Sequence, residues 1–151
     1  MSGDFKSSDG LRDWFNDLQK RDQPLEIQFD GYFLCLLLGL KYGRRVGLSN
    51  IKTNTFLSTG FPQRYSEASR LLSGVLISVE IERQGITFEN KAAVQNIIET
   101  LIDGDQLSSV GHQRLNEYAH GGFDQLSEGF SNKQVSFADF FATYSPLLLN
   151  N

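Results

Sequence analysis

A single cysteine, Cys35, leaves the chain no intramolecular disulfide, and three prolines in 151 residues leave little that would break helices. Cys35 lies inside the most apolar segment, where it reads as a small buried hydrophobe in a reducing compartment. Long apolar runs are also lacking. The longest, Tyr32 to Leu40, has nine residues against the roughly 20 that span a bilayer. No charged-then-apolar leader is legible at the start, so the expectation is a cytoplasmic protein without membrane attachment. Positive charge is scarce as well: 14 Lys and Arg against 18 Asp and Glu give a net charge of -4, which argues against a protein devoted to coating phosphate backbones.

Apolar spacing is abundant instead. With 40% hydrophobic and 21% charged residues, the composition sits in the globular range and excludes wholesale disorder. The length suits one domain. Leu11, Trp14, Phe15 and Leu18 recur with helical period behind a cap at Ser8 or Asp9. Asp30 precedes an all-round apolar segment, Tyr32 to Leu40, with Gly43 where a C-terminal cap belongs. Leu71, Leu72, Val75, Leu76 and Val79 favour a helix from Ser66 to Gly85, although Ile77 to Ile81 also fits an alternating strand. Ala92 to Ile102 forms an amphipathic helix ending at Asp103 and Gly104. Leu107 to Phe130 is another helical stretch, and Phe137, Phe140, Phe141 and Tyr144 form a last aromatic stripe that Pro146 should stop. Val46 to Pro62 reads as an ordered connection pinned by Ile51, Phe56, Leu57 and Phe61. The expected fold is all-α: a flexible 1–8, then a single compact domain over 9–151, with about five to seven helices and a buried central helix near 30–43.

Tests for chemistry return little. His120-Gly121-Gly122 has the look of an esterase oxyanion segment, but no G-x-S-x-G elbow accompanies it, which leaves helix packing or a kink as the plain reading. Asp103-Gly104-Asp105 opens like a calcium loop, yet Leu107 and Arg114 stand where ligands are needed. His112 and His120 have no Cys partner and no H-E-x-x-H context. Gly39, Gly43 and Gly47 are followed by no Lys-Ser or Lys-Thr. Glu80, Glu82 and Glu89, or Glu117 and Asp124, are candidate paired carboxylates whose plain role is a wet helix face. No catalytic residue, cofactor or metal is therefore assigned.

Two surfaces remain as candidates for binding. Lys41, Arg44, Arg45 and Lys52 make the one basic cluster, suited to phosphate or an acidic partner, or simply to a helix C-terminus. Phe137, Phe140, Phe141 and Tyr144 are the candidate partner interface, because twelve phenylalanines and five tyrosines exceed what a small core obviously needs.

Two segments, Phe29 to Arg45 and Leu115 to Phe123, resemble those of small helical proteins encoded beside bacterial DNA-phosphorothioation (Dnd) systems, of the "Dnd system-associated protein 4" type. In that family an apolar segment ending in a glycine and basic residues precedes a Glu-Tyr-Ala-x-Gly-Gly-apolar element. Gly43, Arg44 and Arg45 match the first; Glu117, Tyr118, Ala119, Gly121, Gly122 and Phe123 match the second. The resemblance covers fewer than 30 residues. It implies an accessory protein of antiphage defence or DNA modification, with no assigned catalytic residues. The leading expectation is a non-enzymatic adaptor that binds protein partners of such a complex, with self-association open. Direct nucleic-acid binding through Arg44 and Arg45 is the alternative, and a small hydrolase or nuclease using His120 the second. Projected on a helix, Leu115, Tyr118, Ala119, Gly122, Leu126 and Phe130 share one face, which assigns Gly122 to a buried seam and Gly121 to a kink or break.

Overall fold

The computed structural model describes residues 3–20, 24–58 and 60–150. It is 64% helical, with six helices and two small two-stranded sheets among the described residues, so the fold is mostly helical without being purely all-α. The chain divides into two compact units: one takes residues up to Phe5 and Leu57–Leu115, the other Lys6–Phe56 and Asn116–Asn151.

The second unit contains α1 (Asp9–Phe15), α2 (Gln28–Tyr42) and α6 (Phe137–Leu149), together with α5 (Ser109–Gly129) from Asn116 onward. Ser8 caps α1 as its sequence position predicts, its hydroxyl accepting from Leu11 N at 3.1 Å. Asp30 sits in the first turn of α2, ahead of the apolar segment, and its carboxylate accepts from the backbone N–H of Glu26 at 2.8 Å and Ile27 at 3.0 Å. Gly43 ends α2 with φ 61°, a left-handed cap that a side chain would strain. The core gathers Leu11, Phe15, Leu18, Cys35, Leu38, Leu126, Phe130, Phe140 and Tyr144. Burial raises the Cys35 thiol well above its usual range, which keeps it protonated and inert. Tyr32 donates its buried hydroxyl to Asn116 Oδ1 at 2.7 Å, and the same oxygen accepts from Lys6 N at 3.1 Å. One amide thus joins α2, α5 and the N-terminal segment.

Of the stretch expected to be flexible, 1–8, residues 1 and 2 lie outside the described residues, and the part from Phe5 onward corrects the expectation. From Phe5 to Ser8 it forms β1, which pairs with β2 (Thr53–Leu57) inside the stretch read as a connection. Phe5 and Ser7 are buried while Lys6 is exposed, so four residues carry a strand alternation too short to stand out in sequence. A second correction concerns Pro146. It lies inside α6 without ending it, and Asn150 N still donates to Pro146 O at 3.0 Å. Proline removes only its own N–H, and side chains of α2 receive the last carbonyls: Lys41 Nζ reaches Leu147 O at 3.1 Å and also Asn150 O, and Tyr42 Oη reaches Leu147 O at 2.7 Å.

The first unit is built on α3 (Ser66–Arg83), α4 (Lys91–Leu101) and the opening turns of α5. Leu72, Leu76, Ile81, Ile97, Leu101 and Leu107 are buried. Residues 77–81 are helical, in line with the charged pattern that continues to Gly85. The turn expected after α4 is a hairpin: β3 (Ile102–Asp103) pairs antiparallel with β4 (Gln106–Leu107) around Gly104 at φ 67°. Ser108 then caps α5, its hydroxyl accepting from Gly111 N at 3.0 Å while donating to Thr100 O at 2.6 Å. Buried Glu80 faces Arg114 at 3.5 Å.

Gly74 lies mid-helix in α3 with open space around its missing Cβ. Gly74→Ala is expected to raise stability by about 0.5–1 kcal/mol through reduced backbone entropy of the unfolded chain, read as a higher urea midpoint at unchanged m-value.

Candidate functional site

The adjacent glycines Gly121 and Gly122 of α5 require an explanation, because each is expensive in a helix interior. The helix runs unbroken through both. A Cβ on Gly122 would fall onto the Cys35 carbonyl, and one on Gly39 of α2 onto the Tyr118 carbonyl. Gly122 therefore lines the predicted seam, with Tyr118 and Ala119 buried beside it. Gly121 corrects the expectation of a kink: a Cβ there would strike the Arg44 carbonyl, so it too is a close-approach glycine, facing the chain just beyond α2.

This second contact decides the fate of the basic cluster. With the Arg44 backbone against Gly121, its guanidinium runs along α5 to Gln125 Oε1 at 3.1 Å and to the Glu128 carboxylate. The pairing raises Arg44 above its ordinary range and lowers Glu128 below its own. Arg45 turns to Glu117 at 3.4 Å, whose carbonyl accepts from Val46 N at 3.1 Å. Glu117, Gly121, Gln125 and Glu128 follow helical spacing, so one stripe of α5 receives both arginines. Lys41 is engaged with the end of α6. Lys52 stays exposed ahead of β2 and lies apart from these contacts. Three of the four cations of the candidate surface for phosphate or an acidic partner thus face the protein's own acceptors.

The aromatic stripe divides. Phe140 and Tyr144 are core: Phe140 stacks on Phe130 with centroids 5.6 Å apart and meets Trp14 and Phe15 edge-on, while Tyr144 donates to Leu34 O at 2.8 Å. They correct the reading of the whole stripe as an interface, because i and i+4 on α6 point inward together. Phe137 is half-buried against that core, its ring 5.9 Å from Phe140, and it stacks at 5.7 Å on Phe141, which is 50% exposed.

The histidines lie in the interior. Neither ring nitrogen of buried His120 has a hydrogen-bond partner, and neither does His112 Nδ1. Burial holds both below the ordinary 6.5, with Asp124 and Asp4 opposing weakly. No group of three His, Cys, Asp or Glu side chains suited to a metal ion occurs among the described residues. Among the described residues no helix is long and apolar enough to cross a membrane.

Sequence reasoning missed a cleft of about 290 Å³ in the first unit, bordered by Phe61, three serines and Arg70 of α3, the β3–β4 hairpin and His112. Its trace in the sequence is Ser66, Ser69 and Ser73, polar positions at i, i+3 and i+7 on one face of α3.

Comparison with protein-family models, with curated proteins and with solved structures finds no match to this chain.

Two predictions follow from the seam and the histidines. Gly121→Ala and Gly122→Ala should each cost about 3 kcal/mol or more, the upper part of the overpacking range, because the obstruction is backbone that cannot rotate away; urea unfolding checks this. Unfolded histidine takes up its proton near 6.5 and the folded ones at lower pH, so stability is complete above 6.5 and falls as pH drops below it. The urea midpoint should be level above neutrality and decline below 6.5, by up to about 1.4 kcal/mol per pH unit for each histidine kept neutral.

Proposed function

We propose that the chain is a non-enzymatic interaction subunit whose docking surface is the outer face of α6, and that its occupant is an apolar helix of a partner protein. One observation carries this reading. α6 has a single charged residue, Asp139, yet only Phe140 and Tyr144 of its thirteen residues are buried. Phe141, Ala142 and Leu149 face outward, Leu149 being 74% exposed, and Val135 just before the helix is 65% exposed. Large apolar side chains on a helix normally have cover, and here Phe141 and Leu149 stand exposed beside the polar Asp139 and Thr143. The bare side presents large Phe141 and Leu149 among small Ala138, Ala142 and Ser145, a relief of knobs and hollows that suits another helix.

The wider setting is proposed from the resemblance: an adaptor in a prokaryotic DNA-modification or antiphage defence assembly. Its support is that the two resembling segments contain Gly39, Gly121 and Gly122, which bring α2 and α5 together. Direct nucleic-acid binding has less support, since Lys41, Arg44 and Arg45 already have acceptors. Hydrolysis by His120 has less as well, its imidazole being sealed without a hydrogen-bonded nucleophile.

Co-expression with the products of neighbouring genes, followed by size-exclusion chromatography, tests the proposal. Phe141→Asp and Leu149→Asp should each abolish a complex formed by the parent chain while changing its own stability by less than about 1 kcal/mol. Phe140→Ala should instead cost about 3–5 kcal/mol, as a core deletion does. A complex that survives both Asp variants overturns the assignment of the α6 face. Loss of a parent homodimer in sedimentation would replace the partner helix by a second copy.

A further inference from the structure

The cleft of the first unit carries charge of both signs that the protein does not use. Arg70 and Asp105 border it, both exposed, and among the described residues there is no ion pair between them and no hydrogen bond to either side chain. Opposite charges on the rim of one small cleft, left apart, offer a ligand two terminals. The net charge of the lining is close to balanced, which disfavours a polyphosphate.

The serines sharpen the chemistry. Ser69 donates its hydroxyl proton to Ser66 O at 2.7 Å and Ser73 donates to Ser69 O at 2.8 Å. With those protons committed to the helix backbone, the oxygen lone pairs remain, so α3 presents hydrogen-bond acceptors to the cleft. Such a wall suits an N–H donor, above all an ammonium beside the Asp105 carboxylate. Arg70 on the same helix suits a carboxylate, which its planar guanidinium grips with two parallel bonds.

Beside Gly60 and the polar Gln106, the rest of the lining is two apolar side chains and an imidazole. Phe61, Leu107 and the ring of His112 border the space, and His112 is itself backed by Phe5, whose ring meets it edge-on at 4.8 Å. His112 is 6% exposed and its Nδ1 has no partner. A site with two opposite charges, a wall of acceptors and an aromatic floor fits a zwitterion with an apolar side chain. The volume, about 290 Å³, stands at the lower edge of the range for small-molecule pockets.

We propose that this cleft binds a free α-amino acid with an apolar or aromatic side chain, its carboxylate on Arg70, its ammonium on Asp105 and the serine oxygens, and its side chain against Phe61 and Leu107. This site belongs to the first unit and the α6 face to the second, so the two proposals are tested separately.

Titration of isotope-labelled protein with L-phenylalanine, followed by amide chemical shifts, tests it on the full chain. Shifts should concentrate at Phe61, Ser69, Arg70, Gln106 and His112. Phenylacetate lacks the ammonium and phenethylamine lacks the carboxylate, so each should bind about tenfold more weakly or worse. Arg70→Gln should abolish the preference over phenethylamine, and Asp105→Asn the preference over phenylacetate. Both positions are exposed, so the variants keep the parent's fold, which their unchanged spectra outside the cleft will verify. Equal binding of phenylacetate and phenylalanine would overturn the zwitterion in favour of a simple anion site, and no shift at these residues up to millimolar ligand would overturn the site itself.

Discussion

The backbone approach of α2 and α5 through Gly39, Gly121 and Gly122 is the constraint on which the second unit depends. Where two helices meet across glycines, carbonyl and Cα surfaces touch directly, so their spacing is set by main chain and not by adjustable side chains. The Cys35 and Tyr118 carbonyls each occupy the place a Cβ would take on the facing helix. From that contact the path of the following chain is fixed. Arg44 N donates to Gly39 O at 2.9 Å, Gly43 turns left-handed, and the Arg44 carbonyl comes down on Gly121. Only in that position do the two arginine side chains run in opposite directions along one stripe of α5, Arg45 to Glu117 and Arg44 to Glu128. The glycine pair is thus also an electrostatic device, since it determines which acceptors the cations meet.

The residue immediately before the glycines, His120, is buried, and among the described residues its one ring contact is Phe123, edge-on at 6.3 Å. Its ring nitrogens lack the hydrogen-bond partner that a buried imidazole normally acquires. Charging it there would add an unpaired cation to an interior that offers Asp124 alone as compensation. An arrangement that resembles an active-site tripeptide in sequence is therefore, in three dimensions, a place where protonation opposes the fold.

What the sequence disclosed follows from periodicity. α1 through α5 appear where apolar residues repeat at 3.6, because each buries one face and the pattern records that burial directly. β1 and β2 escaped because four and five residues are too few to show a period, and a pairing between positions near 6 and 55 is a non-local event. Gly121 misled for a related reason. Projection on one helix finds the face that meets the core, but it does not reveal a segment such as Arg44 arriving from elsewhere on a second face. The basic cluster was legible as a cluster; that its acceptors lie far along the chain, 84 residues on from Arg44 at Glu128 and 106 on from Lys41 at Leu147, was not. The cleft lay furthest from view, since its lining is drawn from residues scattered between Gly60 and His112 with no motif binding them.

α6 shows how these constraints bear on recognition. The helix is held along its inner side by Phe140 in the aromatic core and by Tyr144 on the Leu34 carbonyl, and at its end by Lys41 and Tyr42 on the Leu147 carbonyl. The Leu34, Lys41 and Tyr42 anchors come from α2, the helix whose spacing from α5 the glycines define. The exposed Phe141 consequently rides on a rigid element, stacked on Phe137 and restricted in rotamer before any partner arrives. Ordering such a side chain on association costs about 0.5–1.5 kcal/mol when it is free, and here most of that has been spent in folding. An apolar surface on a flexible tail would bind weakly for its area; the same residues on a helix fixed at both ends keep their hydrophobic gain for the partner. The demand that α2 and α5 meet through glycine therefore reaches as far as the outer face of α6, by way of the residues that follow the seam.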